Sequence, residues 1–295
     1  MPPSPQTLDA LHGRVLEWYR GAGRDLPWRH PDCSPWGVFV SEVMAQQTPL
    51  GRVEPVWRQW LRRWPTPAAL AAAAPGDAVR AWGRLGYPRR SLRLHQAATV
   101  MLERHGGQVP SRLQDLLSLP GVGAYTAAAV ACFAFGIPEV VVDTNVRRVL
   151  ARTLTGKQYP APALTRAERD LAGEAMPAQR HTAAVWNVAV MELGALVCVA
   201  RGPRCDACPV ADLCTWNVVG RPAHDGPARR GQAWHGTDRQ VRGLLLQRLR
   251  DARAEVHLGL LVGAAPQQQV MRCLDSLVAD GLIEPLDDDR YRLPA

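Results

Sequence analysis

Hydrophobic positions recur at helical spacing from Leu8 to about Ala195, interrupted at Trp64-Pro65-Thr66-Pro67, Gly86-Tyr87-Pro88 and Leu119-Pro120-Gly121-Val122-Gly123. A period near 3.6 residues, broken by Pro and Gly, predicts a succession of helices and a mostly α domain. Residues 36–47 read as an apolar-rich helix. Residues 124–135 are apolar on nearly every side, which predicts a central, buried helix. Val140-Val141-Val142 has strand propensity but too few partner strands nearby, so it reads as a buried extended lead into a helix over residues 145–153.

The pattern changes at residue 220. Pro, Gly and Arg replace the apolar period over residues 220–232, which marks a linker. A small second unit follows from Trp234, with helices over residues 239–250 and 267–280. It ends in Leu282-Ile283-Glu284-Pro285-Leu286, a turn at Asp287-Asp288-Asp289, and Tyr291-Arg292-Leu293. Helices followed by a hairpin resemble a winged helix. No internal repeat is evident.

With 295 residues, 47% of them hydrophobic, the chain can form one large or two ordinary cores. No stretch reaches membrane-span length, and Met1-Pro2-Pro3-Ser4 does not open a basic and apolar leader, so a cytoplasmic protein is expected. The formal charge of +8 favours a polyanionic partner. Nearly all of the positive charge is arginine. Lys157 is the single lysine, so Schiff-base chemistry has one candidate.

Four of the seven cysteines, Cys198, Cys205, Cys208 and Cys214, crowd into a C-x6-C-x2-C-x5-C array, while Cys33, Cys132 and Cys273 are scattered. Such clustering points to metal and not to disulfides. Four thiolates suit either zinc or an iron–sulfur cluster, and the short span favours a cuboidal cluster wrapped by one loop. The array resembles that of the endonuclease III and MutY families of DNA glycosylases, which implies a 4Fe-4S cofactor. Arg201 and Arg204 lie inside the loop, where they could meet a phosphate or offset the cluster's charge. The resemblance implies a structural cluster that does no base chemistry.

Leu119, Gly121, Val122 and Gly123 belong to the LPGVG segment between two expected helices. Its glycines permit tight turns, and the helix N-terminus that follows offers free N–H groups to a phosphate. An ordinary turn has the same composition, but the segment resembles the hairpin of helix-hairpin-helix repair enzymes, which grips backbone without reading sequence. Lyase-competent members of that superfamily carry a lysine two residues later. Here the residue is Tyr125, which implies a monofunctional glycosylase.

Two carboxylates complete the pattern. Glu42, in Val40-Ser41-Glu42-Val43-Met44-Ala45-Gln46-Gln47-Thr48, has apolar neighbours that would bury it and raise its pKa. The segment resembles the MutY stretch that supplies the general acid, with Gln46 and Gln47 contacting the duplex. Asp143, in Val142-Asp143-Thr144-Asn145, has the position of a helix N-cap. The resemblance implies that it stabilises the cationic sugar, with Asn145 orienting water or the sugar side. Leu26-Pro27-Trp28-Arg29 is similar to the family's early LPWR segment, and Glu192 sits where those enzymes have an acid near the adenine. Gly86-Tyr87-Pro88 matches an LGYY-type segment only in part, because Pro88 replaces an aromatic.

The resemblance covers about residues 8–220 and identifies the chain as a member of the MutY-type adenine glycosylases. It implies a helix-hairpin-helix DNA glycosylase fold: a six-helix domain over residues 31–137 and a cluster domain built from residues 1–30 and 138–219. A linker over residues 220–233 and the winged-helix-like domain of residues 234–295 complete the chain. The implied partner is double-stranded DNA holding a mispaired or damaged base, bound by a monomer. The larger Nudix-like domain of well-known MutY enzymes has no counterpart here, so opposite-base recognition stays open. A glycosylase for mismatched thymine or uracil, or for an alkylated base, and a non-enzymatic iron–sulfur DNA-binding regulator remain alternatives.

Overall fold

The computed structural model describes residues 4–224, 226, 234–252, 254–261, 263 and 265–295. The protein is mostly helical. In chain order it runs through α1 (Pro5–Ala22), α2 (Pro35–Ala45), α3 (Leu50–Arg63), α4 (Pro67–Ala71), α5 (Pro75–Trp82), α6 (Arg89–Arg104) and α7 (Leu113–Leu117). It continues with α8 (Ala124–Phe135), α9 (Thr144–Thr155), α10 (Arg166–Glu174), α11 (Arg180–Leu196) and α12 (Thr215–Val218). The C-terminal part holds α13 (Asp238–Asp251), β1 (Val256–His257), α14 (Leu258–Leu261), α15 (Gln267–Ala279), β2 (Glu284–Leu286) and β3 (Arg290–Arg292). Among the described residues, no helix is long and apolar enough to cross a membrane.

Local chemistry sets many of the helix ends. Ser4, Ser34, Thr66 and Thr237 each accept a backbone N–H three residues on, with Pro first in α1, α2 and α4. Thr165 and Glu168 form a reciprocal capping box on α10. α8 and α9 stop at Gly136 and Gly156, whose positive φ values of 65° and 69° let the chain turn away. α2 ends earlier than residue 47. Gln46 leaves the helix and Gln47 takes φ 52°, so the glutamine pair forms a turn beyond the helix. Residues 137–143 form neither helix nor strand, with Val141 buried and Val140 and Val142 half-buried.

Two compact units emerge. The first comprises residues 1–32, 111–113 and 123–228. Its core joins Leu11 and Val15 of α1, Val146, Val149 and Leu150 of α9, and Trp186 and Leu193 of α11. In α8, every side chain from Thr126 to Cys132 is buried, matching its all-round apolar sequence.

The second unit comprises residues 33–110, 114–122 and 229–295. Trp60 is its aromatic pivot, meeting Trp64 and Trp82 edge-on with ring centroids 4.7 and 5.8 Å away. The C-terminal segment belongs to this unit. Leu245, Leu249, Leu274 and Leu277 share one core with Val79 of α5, and Leu92 of α6 packs against it. Arg250 Nε donates to the Val79 carbonyl at 2.9 Å, and Gly76 N–H donates to the Pro294 carbonyl at 2.7 Å. A Cβ at Gly76 would lie 2.3 Å from that carbonyl oxygen, so only glycine permits this contact. The sequence sets residues 234–295 apart as a unit of their own; in the structure their core is continuous with Val79 of α5. The strands form one antiparallel sheet in the order β1-β3-β2, with Asp287-Asp288-Asp289 at the hairpin tip. Residues 225 and 227–233 of the expected linker lie outside the described residues.

Candidate active site and cysteine centre

In the second unit, Glu42 sits on the apolar helix α2, where every residue from Trp36 to Met44 is buried, and is itself only 9% exposed. The carbonyls at the C-terminal end of α2 need partners, since the last turn of a helix leaves its acceptors unbonded. Arg90 of α6 supplies them. Its Nη1 donates to the carbonyls of Val43, Met44 and Gln46 at 2.8, 3.2 and 2.6 Å. Nη2 donates to Thr48 Oγ1 and to the Gly86 carbonyl at 3.0 and 3.1 Å. Burial lowers the Arg90 pKa to about 10. Gln46 is half-buried and Gln47 exposed.

The hairpin residues of this unit form a tight turn. Val122 N–H donates to the Leu119 carbonyl at 3.1 Å, Leu119 is buried, and Gly121 takes φ 78°. A Cβ on Gly121 would lie 2.7 Å from Cβ of Arg93, so the glycine serves both the positive φ and the close approach of α6. Gly123 falls in the first unit, as N-cap of α8 with an extended backbone.

Asp143, also in the first unit, caps α9. Its Oδ1 accepts Val146 N–H at 2.6 Å and its Oδ2 accepts Asn145 Nδ2 at 2.8 Å. Burial nevertheless raises its pKa, with these hydrogen bonds and Arg148 opposing the shift. Capping and chemistry are compatible uses of one carboxylate. Asn145 Oδ1 in turn accepts from Arg148 Nη2 at 2.7 Å, and Arg148 Nε donates to the Cys198 carbonyl at 2.7 Å. Close packing makes this possible: a Cβ on Gly194 of α11 would lie 2.7 Å from Cβ of Asn145. Tyr125 is half-buried near the start of α8, against the small core of Ala128, Ala129, Cys132 and Val141.

Glu192 is fully buried near the C-terminal end of α11. Arg24 grips it with backbone N–H, Nε and Nη2 at 3.0, 2.5 and 2.9 Å, and Arg29 Nη2 adds a bond at 2.8 Å. Although burial pushes its pKa up, the arginine hydrogen bonds and charges bring it down to about 2. Trp28 is buried in the short turn Pro27–Arg29 beside them in sequence.

Cys198, Cys205, Cys208 and Cys214 line one cavity of about 360 Å³ including its open mouth, walled also by Val149, Leu193, Val197, Val210 and Trp216. Burial pushes the Cys208 thiol up to about 11, and the neighbouring cysteines add to the shift. A cationic centre between the sulfurs would reverse that cost. Arg152, buried, donates to Cys198 Sγ at 3.3 Å and to the Val199 carbonyl at 2.9 Å. Among the described residues, no three His, Cys, Asp or Glu side chains converge closely enough to hold one ion.

Arg24, Arg90, Arg148 and Arg152 organise these sites, and none was singled out from sequence. In a chain whose positive charge is almost all arginine, a buried arginine has no local signature. Thr48, buried and bonded to Arg90, was equally silent.

A hairpin leading into α8, a carboxylate capping α9, and a cavity lined by four cysteines are the features that a helix-hairpin-helix base-excision protein would need. Residues 40–173 match the HhH-GPD superfamily of base excision DNA repair proteins. Among solved structures, a thermostable thymine-DNA glycosylase aligns with a TM-score of 0.65 and 27% identity, covering 72% of this chain and 98% of that one. Among curated relatives, an adenine DNA glycosylase of Mycobacterium tuberculosis is 50% identical over 99% of this chain and 97% of its own length. That of Mycolicibacterium smegmatis is 50% identical over 95% of this chain and 94% of its own. The chain belongs to the adenine DNA glycosylase family.

Proposed function

We propose that this protein excises adenine mispaired with 8-oxoguanine or guanine from double-stranded DNA by hydrolysing its N-glycosidic bond. The observation that carries the reading is a near end-to-end likeness to adenine DNA glycosylases, joined to a glutamate buried in an apolar helix. A stacked adenine hides the atoms that react, so the base must leave the duplex, at a cost of roughly a few kcal/mol that is lower at a mispair. Glu42 then delivers a proton to N7 of adenine, making it a neutral leaving group. As the bond breaks, positive charge develops on the sugar and the Asp143 carboxylate stabilises it, with Asn145 holding that carboxylate and the sugar side. Water completes the hydrolysis. Gln46, Gln47 and the hairpin residues Leu119, Gly121, Val122 and Gly123 hold the duplex. Trp28, Arg29 and Glu192 line the base's surroundings. Tyr125 cannot form a Schiff base, in keeping with a glycosylase that leaves the strand intact.

A 4Fe-4S cluster fits the four cysteines. They line one cavity with apolar walls, and Arg152 offers a donor to Cys198 Sγ. When bound, such a cluster supplies a rigid staple for the loop of residues 198–214.

The deciding experiment is single-turnover base release from duplexes holding A opposite 8-oxoguanine, A opposite G, and T or U opposite G, with the native chain and Glu42→Gln. Adenine release lost in the variant by about 10²–10⁴-fold supports the reading. Release of T or U alone, or tight binding with no base released, overturns it.

A further inference from the structure

Arg90 and Thr48 tie together two turns that are distant in sequence. Besides accepting from Arg90, Thr48 Oγ1 donates within reach of the Gln46 carbonyl at 3.1 Å and the Leu85 carbonyl at 3.2 Å. Arg90 reaches the Gly86 carbonyl on one side and the carbonyls of Val43, Met44 and Gln46 on the other. Its guanidinium lies 5.2 Å from the Trp82 ring centroid and 5.4 Å from that of Tyr87. Trp82 Nε1 also donates to the Gly86 carbonyl at 2.9 Å. Both turns are conformationally costly: Gln47 and Tyr87 take φ values of 52° and 45°, which side-chain-bearing residues rarely adopt. Both are exposed at their tips, Tyr87 by 56%. A buried arginine with five acceptors, at the foot of the helix that carries Glu42, is more than surface charge requires. One of its nitrogens, Nε, is buried and meets no acceptor among the described residues.

We propose that Arg90, with Thr48, is a positioning clamp that makes the Gln46-Gln47 turn and the Gly86-Tyr87 turn one rigid element, presented together to the duplex when a mispaired adenine is extruded. The proposal rests on the reading that the Gln46-Gln47 turn holds the duplex. A planar guanidinium is needed because it sends donors along two directions at once; an ammonium is a single point that cannot span both turns. The clamp therefore acts on extrusion, and not on the protonation that follows.

The test uses the full chain and three variants: Arg90→Lys, Arg90→Gln, and the near-isosteric Thr48→Val, which keeps the arginine and removes only the hydroxyl link. In the free protein, hydrogen exchange should accelerate together in residues 45–48 and 84–88 while the core of α2 stays protected. Acceleration in one turn only, or in neither, overturns the clamp. On substrate, adenine release is compared between A opposite 8-oxoguanine and A opposite a stable abasic analogue, where no partner base opposes extrusion. Loss of about tenfold or more on the first, with about threefold or less on the second, supports the clamp. Equal losses on both substrates, or none on either, overturn it. If the native chain releases no adenine, the functional reading fails, and the exchange measurement still decides the clamp.

Discussion

Asp143 carries two duties that a pair of substitutions can separate. Asp143→Ala removes both acceptors, the one for Val146 N–H at 2.6 Å and the one for Asn145 Nδ2 at 2.8 Å. Loss of a side-chain N-cap costs about 0.5–2 kcal/mol. Asp143→Asn retains one oxygen for the Val146 N–H and removes the buried charge, whose cost is visible as the raised pKa. A carboxyl raised in the folded state is stabilising below its unfolded pKa, and that contribution disappears as pH rises through the folded value. At neutral pH the ionised group therefore weighs against folding. The alanine variant should lose about 1–2 kcal/mol, or roughly 2–8 °C in Tm, while the asparagine variant stays within about 1 kcal/mol of the parent or exceeds it. Both should lose about 10²–10³-fold or more in single-turnover adenine release, because neither carries the charge that the cationic sugar needs. Thermal denaturation beside base-release kinetics measures both effects. An asparagine variant as unstable as the alanine, or one that works at the native rate, would refute the reasoning.

Three further outcomes follow from the geometry. Glu192→Ala leaves Arg24 and Arg29, both partly exposed, without their shared anion, and loss of these charge-assisted hydrogen bonds should cost about 1.5–3 kcal/mol in denaturant unfolding. In the native chain the same pair sets an acid limit: with its pKa depressed to about 2, Glu192 stabilises fully above the ordinary carboxylate range, and the contribution is lost as pH falls toward that value. An acid titration in which Glu192→Gln and the native chain lose stability in parallel would contradict this. Leu274→Ala in α15, fully buried in the core shared with Val79, should destabilise the second unit by about 2–5 kcal/mol. Unchanged exchange protection in α5 would mean that the C-terminal segment does not support it. Finally, duplex affinity should fall linearly in log–log terms as salt rises, with a slope near −0.9 per phosphate neutralised; a flat response would exclude the arginine-rich surface as the DNA contact.

The pattern of apolar positions by itself placed helices near α2, α8, α9, α13 and α15. α8 begins and ends where its sequence does, because twelve nearly all-apolar residues between Gly123 and Gly136 leave only one way to bury them. The cysteine spacing and the hairpin glycines stand out as short local runs, whereas the roles of Glu42 and Asp143 are what the family resemblance implies. Other features were decided by tertiary structure. Glu42 and Glu192 have the same side chain, yet one lies in an apolar helix and the other is held ionised by two arginines. The C-terminal segment read as a separate unit until its leucines were found on Val79. Arg90, Arg148 and Thr48 belong to or adjoin the quoted segments, yet nothing in their spacing gave them a role. A helical period states which face of a segment is buried but not what it is buried against, and a hydrogen bond across tens of residues leaves no mark in the spacing of either partner.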